Sequence, residues 1–228
     1  MNYQNDFDNK SFKLFRVLSG HQGFIFRLRW SNSGTYLASP SSDRKVIIWK
    51  VQLGAKWIEF SDHSDEVNAV AWSPDDKLIA SASDDHTVKI WQSIDGKVIH
   101  DLKFHSDRVH DVSWSPDGSQ IASISDDKYL IVVDAVSGEI VKKTKMHNKV
   151  IWSVAWSPCG EWIATASDDE TIRLISIETD ERRVFRGHQS TVRSIVWFSD
   201  GKHLVSGGRD GKVIVWNIDY PDSKRIFQ

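Results

Sequence analysis

The sequence predicts an all-β fold, a β-propeller of five four-stranded antiparallel blades. Three observations carry that expectation. Histidines recur at His21, His63, His105, His147 and His188, in steps of 42, 42, 42 and 41 residues. A tryptophan stands nine residues after each one, at Trp30, Trp72, Trp114, Trp156 and Trp197. Between successive histidines, short strand-forming runs alternate with turn residues and leave no room for a helix. A period this long exceeds any single helix or strand, so one supersecondary unit is repeated along the chain.

The second copy shows the unit. After His63 comes Val67–Trp72, rich in apolar and small residues, then the turn signal Ser73-Pro74-Asp75-Asp76. Leu78–Ser83 follows, then a turn at Asp84-Asp85, a third run at 87–91, a Gly turn at Asp95-Gly96, and a fourth run at 97–102. In the first of these runs Val67 and Ala69 are expected on one face, Val70 and Trp72 on the other. A sheet apolar on both faces must be covered on both. Face-to-face stacking of copies about an axis does this, which is a propeller.

Each histidine is preceded by a run that suits the outer strand of a blade: 57–60, 97–102, 139–143 and 182–185. Residues 12–18 match this pattern ahead of His21, so the chain is expected to open on an outer strand and to end on an inner trio at 191–216. Pairing 12–18 with that trio would close the ring and remove a sheet edge. Lys224–Phe227 is the competing outer strand. The organisation expected is a polar tail at 1–10, the propeller at 11–217, and a tail or extra outer strand at 218–228.

Composition narrows the function classes. The chain has 228 residues, 40% of them hydrophobic, and a net charge of −2. No global attraction to nucleic acid or to an anionic membrane follows from that balance. The N-terminus lacks the pattern of a secretory signal. Cys159 is the sole cysteine, which excludes an intrachain disulfide and fits a reducing, cytoplasmic setting. No metal-spaced cluster or phosphate-cradling glycine loop appears, so neither metal nor cofactor is expected.

These residues resemble the WD-repeat family. The resemblance covers residues 12–217 and rests on Gly20-His21 and Gly187-His188, on the Ser-Pro-Asp-Gly turn at 115–118, and on Ser81-x-x-x-Asp85-x-Thr87-x-x-x-Trp91. It implies a propeller that serves as a platform for protein assembly. It also implies a hydrogen-bonded tetrad in each blade. These would be His21, Ser39, Asp43 and Trp49; His63, Ser81, Asp85 and Trp91; and His188, Ser206, Asp210 and Trp216. Two further sets lack the tryptophan: His105, Ser123 and Asp127 with Val133, and His147, Thr165 and Asp169 with Ile175. The chain departs from the family in having five copies, where seven are usual. It also lacks the eponymous Trp-Asp pair, as at Trp49-Lys50 and Trp91-Gln92.

Ser, His and Asp together invite a hydrolase reading, but five copies of one trio point to a repeated structural need, not to one activated nucleophile. The chain is therefore not expected to be an enzyme, and an enzyme or small-ligand binder using the central channel is the least favoured alternative. Function is sought where the copies disagree. Aligned on the histidines, the positions flanking the first-strand Val or Ile read Phe24 and Phe26, Glu66 and Asn68, Arg108 and His110, Val150 and Trp152, Thr191 and Arg193. A third variable position reads Ser42, Asp84, Asp126, Asp168 and Arg209. The resemblance places these around the narrow face. Aromatic anchors in a rim of mixed charge suit a protein or peptide partner better than a nucleic acid. The leading expectation is a non-catalytic scaffold, as part of a larger assembly. The alternative is a sensor or regulatory segment of a larger signalling protein such as an ATPase.

Overall fold

The computed structural model describes residues 16–220 and 224–227. Among them are five separate four-stranded antiparallel sheets. Blade 1 contains β1 (Arg29–Trp30), β2 (Tyr36–Pro40), β3 (Val46–Lys50) and β4 (Ala55–Phe60). Blade 2 contains β5 (Val67–Trp72), β6 (Leu78–Ser83), β7 (Val88–Gln92) and β8 (Val98–Leu102). Blade 3 contains β9 (Val109–Trp114), β10 (Gln120–Ser125), β11 (Tyr129–Asp134) and β12 (Ile140–Lys145). Blade 4 contains β13 (Ile151–Trp156), β14 (Trp162–Ser167), β15 (Thr171–Ser176) and β16 (Arg182–Arg186). Blade 5 contains β17 (Val192–Trp197), β18 (His203–Gly208), β19 (Val213–Asn217) and β20 (Lys224–Phe227).

The closure expected from residues 12–18 is not what forms at the last blade. Lys224–Phe227 pairs with β19 in antiparallel register, from Val213↔Phe227 to Trp216↔Lys224, and takes the outer position. The physical reason is proximity along the chain. A hairpin return of a few residues costs far less loop-closure entropy than a pairing across nearly the whole sequence. Residues 12–15 lie outside the described residues, and 16–18 form no strand.

The core is a series of layers between blades. Val70, Trp72 and Ile79 of blade 2 pack on Ala38, Val46 and Ile48 of blade 1. The other face of blade 2, with Ala69, Ala80 and Ile90, packs on Val109, Val112 and Ile131 of blade 3. Equivalent layers join blade 3 to blade 4 and blade 4 to blade 5. Val67 lies with Val70 and Trp72, not with Ala69 as strict alternation predicted. The cause is a β-bulge: Val67 pairs with Ser83 and Ala69 with Ala82, so Asn68 is left over and the alternation shifts by one.

Indole N–H groups stitch the first strands together at the tryptophan end. Trp72 Nε1 donates to Arg29 O at 3.0 Å, Trp114 Nε1 to Ala71 O at 3.1 Å, and Trp197 Nε1 to Ala155 O at 3.1 Å. Trp156 turns away and donates to Gly160 O at 2.9 Å. No core layer among the described residues joins blade 5 back to blade 1. Trp30 is 55% exposed and Val196 56%, while the repeat partners Trp72, Trp114 and Trp156 are buried.

Candidate functional site

The bulge at Asn68 recurs. In β9 the pairing skips His110, in β13 Trp152, and in β17 Arg193. These are the second members of the variable pairs. A bulge strips its extra residue from the ladder and re-aims its side chain. The repeat therefore supplies a fixed backbone device in blades 2 to 5 and leaves open what is displayed on it. Phe26 holds the matching position in blade 1, beside an isolated bridge between Ile25 and Ser41. Asn68, His110, Trp152 and Arg193 are thus strand residues at bulges, while Glu66, Arg108, Val150 and Thr191 stand in the loops before these strands and Asp84, Asp126, Asp168 and Arg209 in turns.

The three variable positions of each blade converge. The backbone N–H of the third position donates to the carbonyl of the first in all five: Ser42 to Phe24, Asp84 to Glu66, Asp126 to Arg108, Asp168 to Val150 and Arg209 to Thr191. Side chains complete the convergence in the middle blades. Asn68 Nδ2 donates to Asp84 Oδ1 at 2.6 Å and to Val109 O at 2.9 Å. His110 Nε2 meets Asp126 Oδ1 at 2.7 Å, and Trp152 Nε1 donates to Asp168 Oδ1 at 2.7 Å. Blade 1 has Phe26 and Ser42 in these places, and blade 5 has Arg193 and Arg209, so neither forms the pair.

Blades 3, 4 and 5 are further joined by stacking. The His110 and Trp152 rings lie 4.5 Å apart between centroids, and the Arg193 guanidinium sits 3.7 Å from the Trp152 centroid. Burial, with Arg209 and Arg27 nearby, holds the Arg193 pKa below the ordinary guanidinium value, against the opposing pull of Asp168. Arg108 Nε lies 3.8 Å from Asp84 Oδ2. Phe24 is 81% exposed and Phe26 44%.

Two residues that bind this region together were not singled out from the sequence. Arg27 Nη1 reaches Asp111 Oδ2 at 2.5 Å, and its Nη2 donates to Trp152 O at 2.9 Å. Asp111 is buried and also accepts from Ser153 Oγ and Val154 N, each at 3.1 Å. A spoke thus runs from blade 1 across the axis to blades 3 and 4. The signal was present one column beyond the variable pair, which reads Arg27, Ala69, Asp111, Ser153 and Ser194. Opposite charges stand there among small residues.

The histidines lie in a separate, enclosed network. His21 Nδ1 meets Asp43 at 2.9 Å and its Nε2 meets Ser39 Oγ at 2.8 Å, while Trp49 Nε1 donates to Ser39 Oγ at 2.8 Å. His63, Asp85, Ser81 and Trp91 repeat this, as do His188, Asp210, Ser206 and Trp216. His105 joins Asp127 to Ser123, and His147 joins Asp169 to Thr165, with no indole partner. The hydroxyls of Ser39, Ser81, Ser123, Thr165 and Ser206 are buried. A hydroxyll enclosed in this way cannot reach a substrate carbonyl, so the trios offer no attack. Burial pulls the Asp85 and Asp169 carboxyls upward, but hydrogen bonds from His63 and Thr87, and from His147 and Thr171, hold both well below the carboxylate range. Burial pushes the His147 imidazole below the ordinary histidine value, over the opposing pull of Asp169.

The WD domain, G-beta repeat model matches the chain at 12–50, 55–92, 96–134, 138–176 and 179–217. The chain belongs to this WD-repeat family. It is 40% identical over 65 residues to Protein SEC13 homolog of Drosophila melanogaster, covering 26% of this chain and 18% of that one. It is 45% identical over 42 residues to Protein SEH1 of Arabidopsis thaliana, covering 18% and 13%. It is 44% identical over 41 residues to guanine nucleotide-binding protein subunit beta-1 of Caenorhabditis briggsae, covering 18% and 12%. The matches thus span less than a fifth of each of these relatives.

Proposed function

We propose that this chain is a non-catalytic scaffold that docks a protein or peptide segment on the end of the propeller where the bulged residues converge. The observation that carries the reading is the bulge itself. One backbone device, kept in blades 2 to 5, carries Asn68, His110, Trp152 and Arg193, four different chemistries, of which Arg193 is exposed, Asn68 and Trp152 are half-buried and His110 is buried. Phe24 and Phe26 add exposed aromatic area, which is costly to leave in water and typical of interface anchors. Glu66, Asp84, Asp126 and Asp168 against Arg108, Arg193 and Arg209 give the mixed rim of a protein-binding site, and a net charge of −2 gives no drive toward nucleic acid.

Membership of a repeat family and likeness to a guanine nucleotide-binding protein subunit support a role inside a larger assembly. Cytoplasmic placement belongs to the same reading and rests on the single, exposed Cys159. The test is affinity capture with wild type beside a Phe26→Ala/Trp152→Ala variant. Loss of a partner by tenfold or more, with the unfolding midpoint of the variant still cooperative, supports docking here. Equal capture by both moves the site to the blade sides or the opposite end.

A further inference from the structure

Blades 2, 3 and 4 each close the variable triplet with a hydrogen bond from the bulged side chain to a carboxylate: Asn68 to Asp84, His110 to Asp126, Trp152 to Asp168. Blade 5 keeps a donor at the bulge, Arg193, and replaces the carboxylate by Arg209. Two cations therefore stand where the other blades hold a donor and an acceptor. Among the described residues, neither guanidinium has a hydrogen-bond or ion-pair partner. Arg209 is tied down only by its backbone N–H to Thr191 O.

Arg193 is nevertheless held in place. Its face lies 3.7 Å from the Trp152 ring centroid. That ring is fixed by Asp168 through its indole N–H at 2.7 Å and by His110 at 4.5 Å. Stacking uses the face of a guanidinium and leaves its N–H edges free, and those edges form a rigid fork that matches a carboxylate. A fork already ordered loses little entropy when it binds. Arg108 offers no second site of this kind, since Asp84 stands beside it.

We propose that the docked partner supplies the missing carboxylate: an aspartate or glutamate side chain of a peptide segment binds between Arg193 and Arg209. This rests on the docking reading above and names the chemistry of one contact within it. A carboxylate is favoured over a phosphate because Asp168 lies close to Arg193 and opposes a second negative charge. The partner residue would complete in blade 5 the pairing that blades 2 to 4 complete internally. Glu66 and Asp84 on blade 2 keep the rest of the rim unsuited to a uniformly acidic segment.

The test uses random twelve-residue peptides displayed on phage, selected on the full chain. Peptides that lose binding to Trp152→Ala are then synthesised with Glu, Gln or phosphoserine at each enriched acidic position. The expected result is an acidic position whose Glu→Gln change weakens binding about tenfold or more in the wild type. In an Arg193→Glu/Arg209→Glu variant the same change has no effect, and a lysine at that position restores binding. Peptides that need Trp152 yet ignore the Gln substitution overturn this inference and leave the docking reading intact. Stronger binding of the phosphoserine form overturns the choice of a carboxylate. Failure to enrich any peptide that depends on Trp152 counts against both readings.

Discussion

Replacing Arg27 by alanine should loosen the contact of blade 1 with blades 3 and 4 and destabilise the fold. The substitution removes the cation that lies 2.5 Å from Asp111 Oδ2 while Asp111 stays 1% exposed. Stripping one partner from a buried pair costs about 3–5 kcal/mol, because the other charge is left buried alone. Here the cost should be lower, at about 2–3 kcal/mol, because Asp111 keeps hydrogen bonds from Ser153 Oγ, Val154 N and Val112 N. Thermal unfolding should show a fall of roughly 5–10 °C for a chain of this size. The reverse change, Asp111→Ala, should cost less, since the Arg27 side chain is 24% exposed and can turn to water. The double variant should recover part of the loss, with a coupling of about 1 kcal/mol or more. If Arg27→Ala lowers the unfolding free energy from urea denaturation by less than about 0.5 kcal/mol, the spoke does not hold the blades together, and the double variant will show no coupling.

Three further outcomes follow from the same geometry. Asp85→Ala leaves the Ser64 N–H without its acceptor and His63 Nδ1 with only a long contact to Thr87 Oγ1 at 3.4 Å, and should cost about 1–3 kcal/mol in chemical denaturation; an unchanged midpoint would remove the tetrad as a source of stability in blade 2. Deleting residues 218–228 bares the edge of β19, so the shortened chain should associate by strand pairing in size-exclusion chromatography, and a stable monomer would contradict that. His147 titrates lower in the fold than the ordinary value of about 6.5, so the unfolded chain takes up its proton first as pH falls. Stability should therefore decline from pH 7 toward pH 5, and urea midpoints that are flat over that window in wild type would refute the assignment.

Much of the architecture was legible because it repeats. Five histidines and five tryptophans in step fix the blade count, and the tetrad partners sit at constant offsets from each histidine, as His63, Ser81 and Asp85 do. Features that depend on one place in the chain were harder to read. The bulges at Asn68, His110, Trp152 and Arg193 leave the strand composition unchanged, so alternation alone put Val67 on the wrong face. Two runs competed for the outer edge of blade 5, and sequence pattern does not weigh the short return to Lys224–Phe227 against a distant pairing. Trp156 keeps its place in the repeat, yet its indole bonds Gly160 O within its own hairpin. Arg27 and Asp111 belong to blades 1 and 3, and only the fold about a common axis brings them into contact.

Docking of a partner on the bulged end of the propeller is what remains to be measured on the protein itself. Site-specific photocrosslinking tests it most directly. A benzophenone side chain is placed in turn at Phe26 and Arg209, at the bulged end, and at Asp117 and Glu161, in turns near the Trp156 end of the first strands. A partner is expected to crosslink from Phe26 and Arg209, and Trp152→Ala is expected to abolish both signals. Crosslinks from Asp117 and Glu161 alone, unaffected by Trp152→Ala, would contradict it.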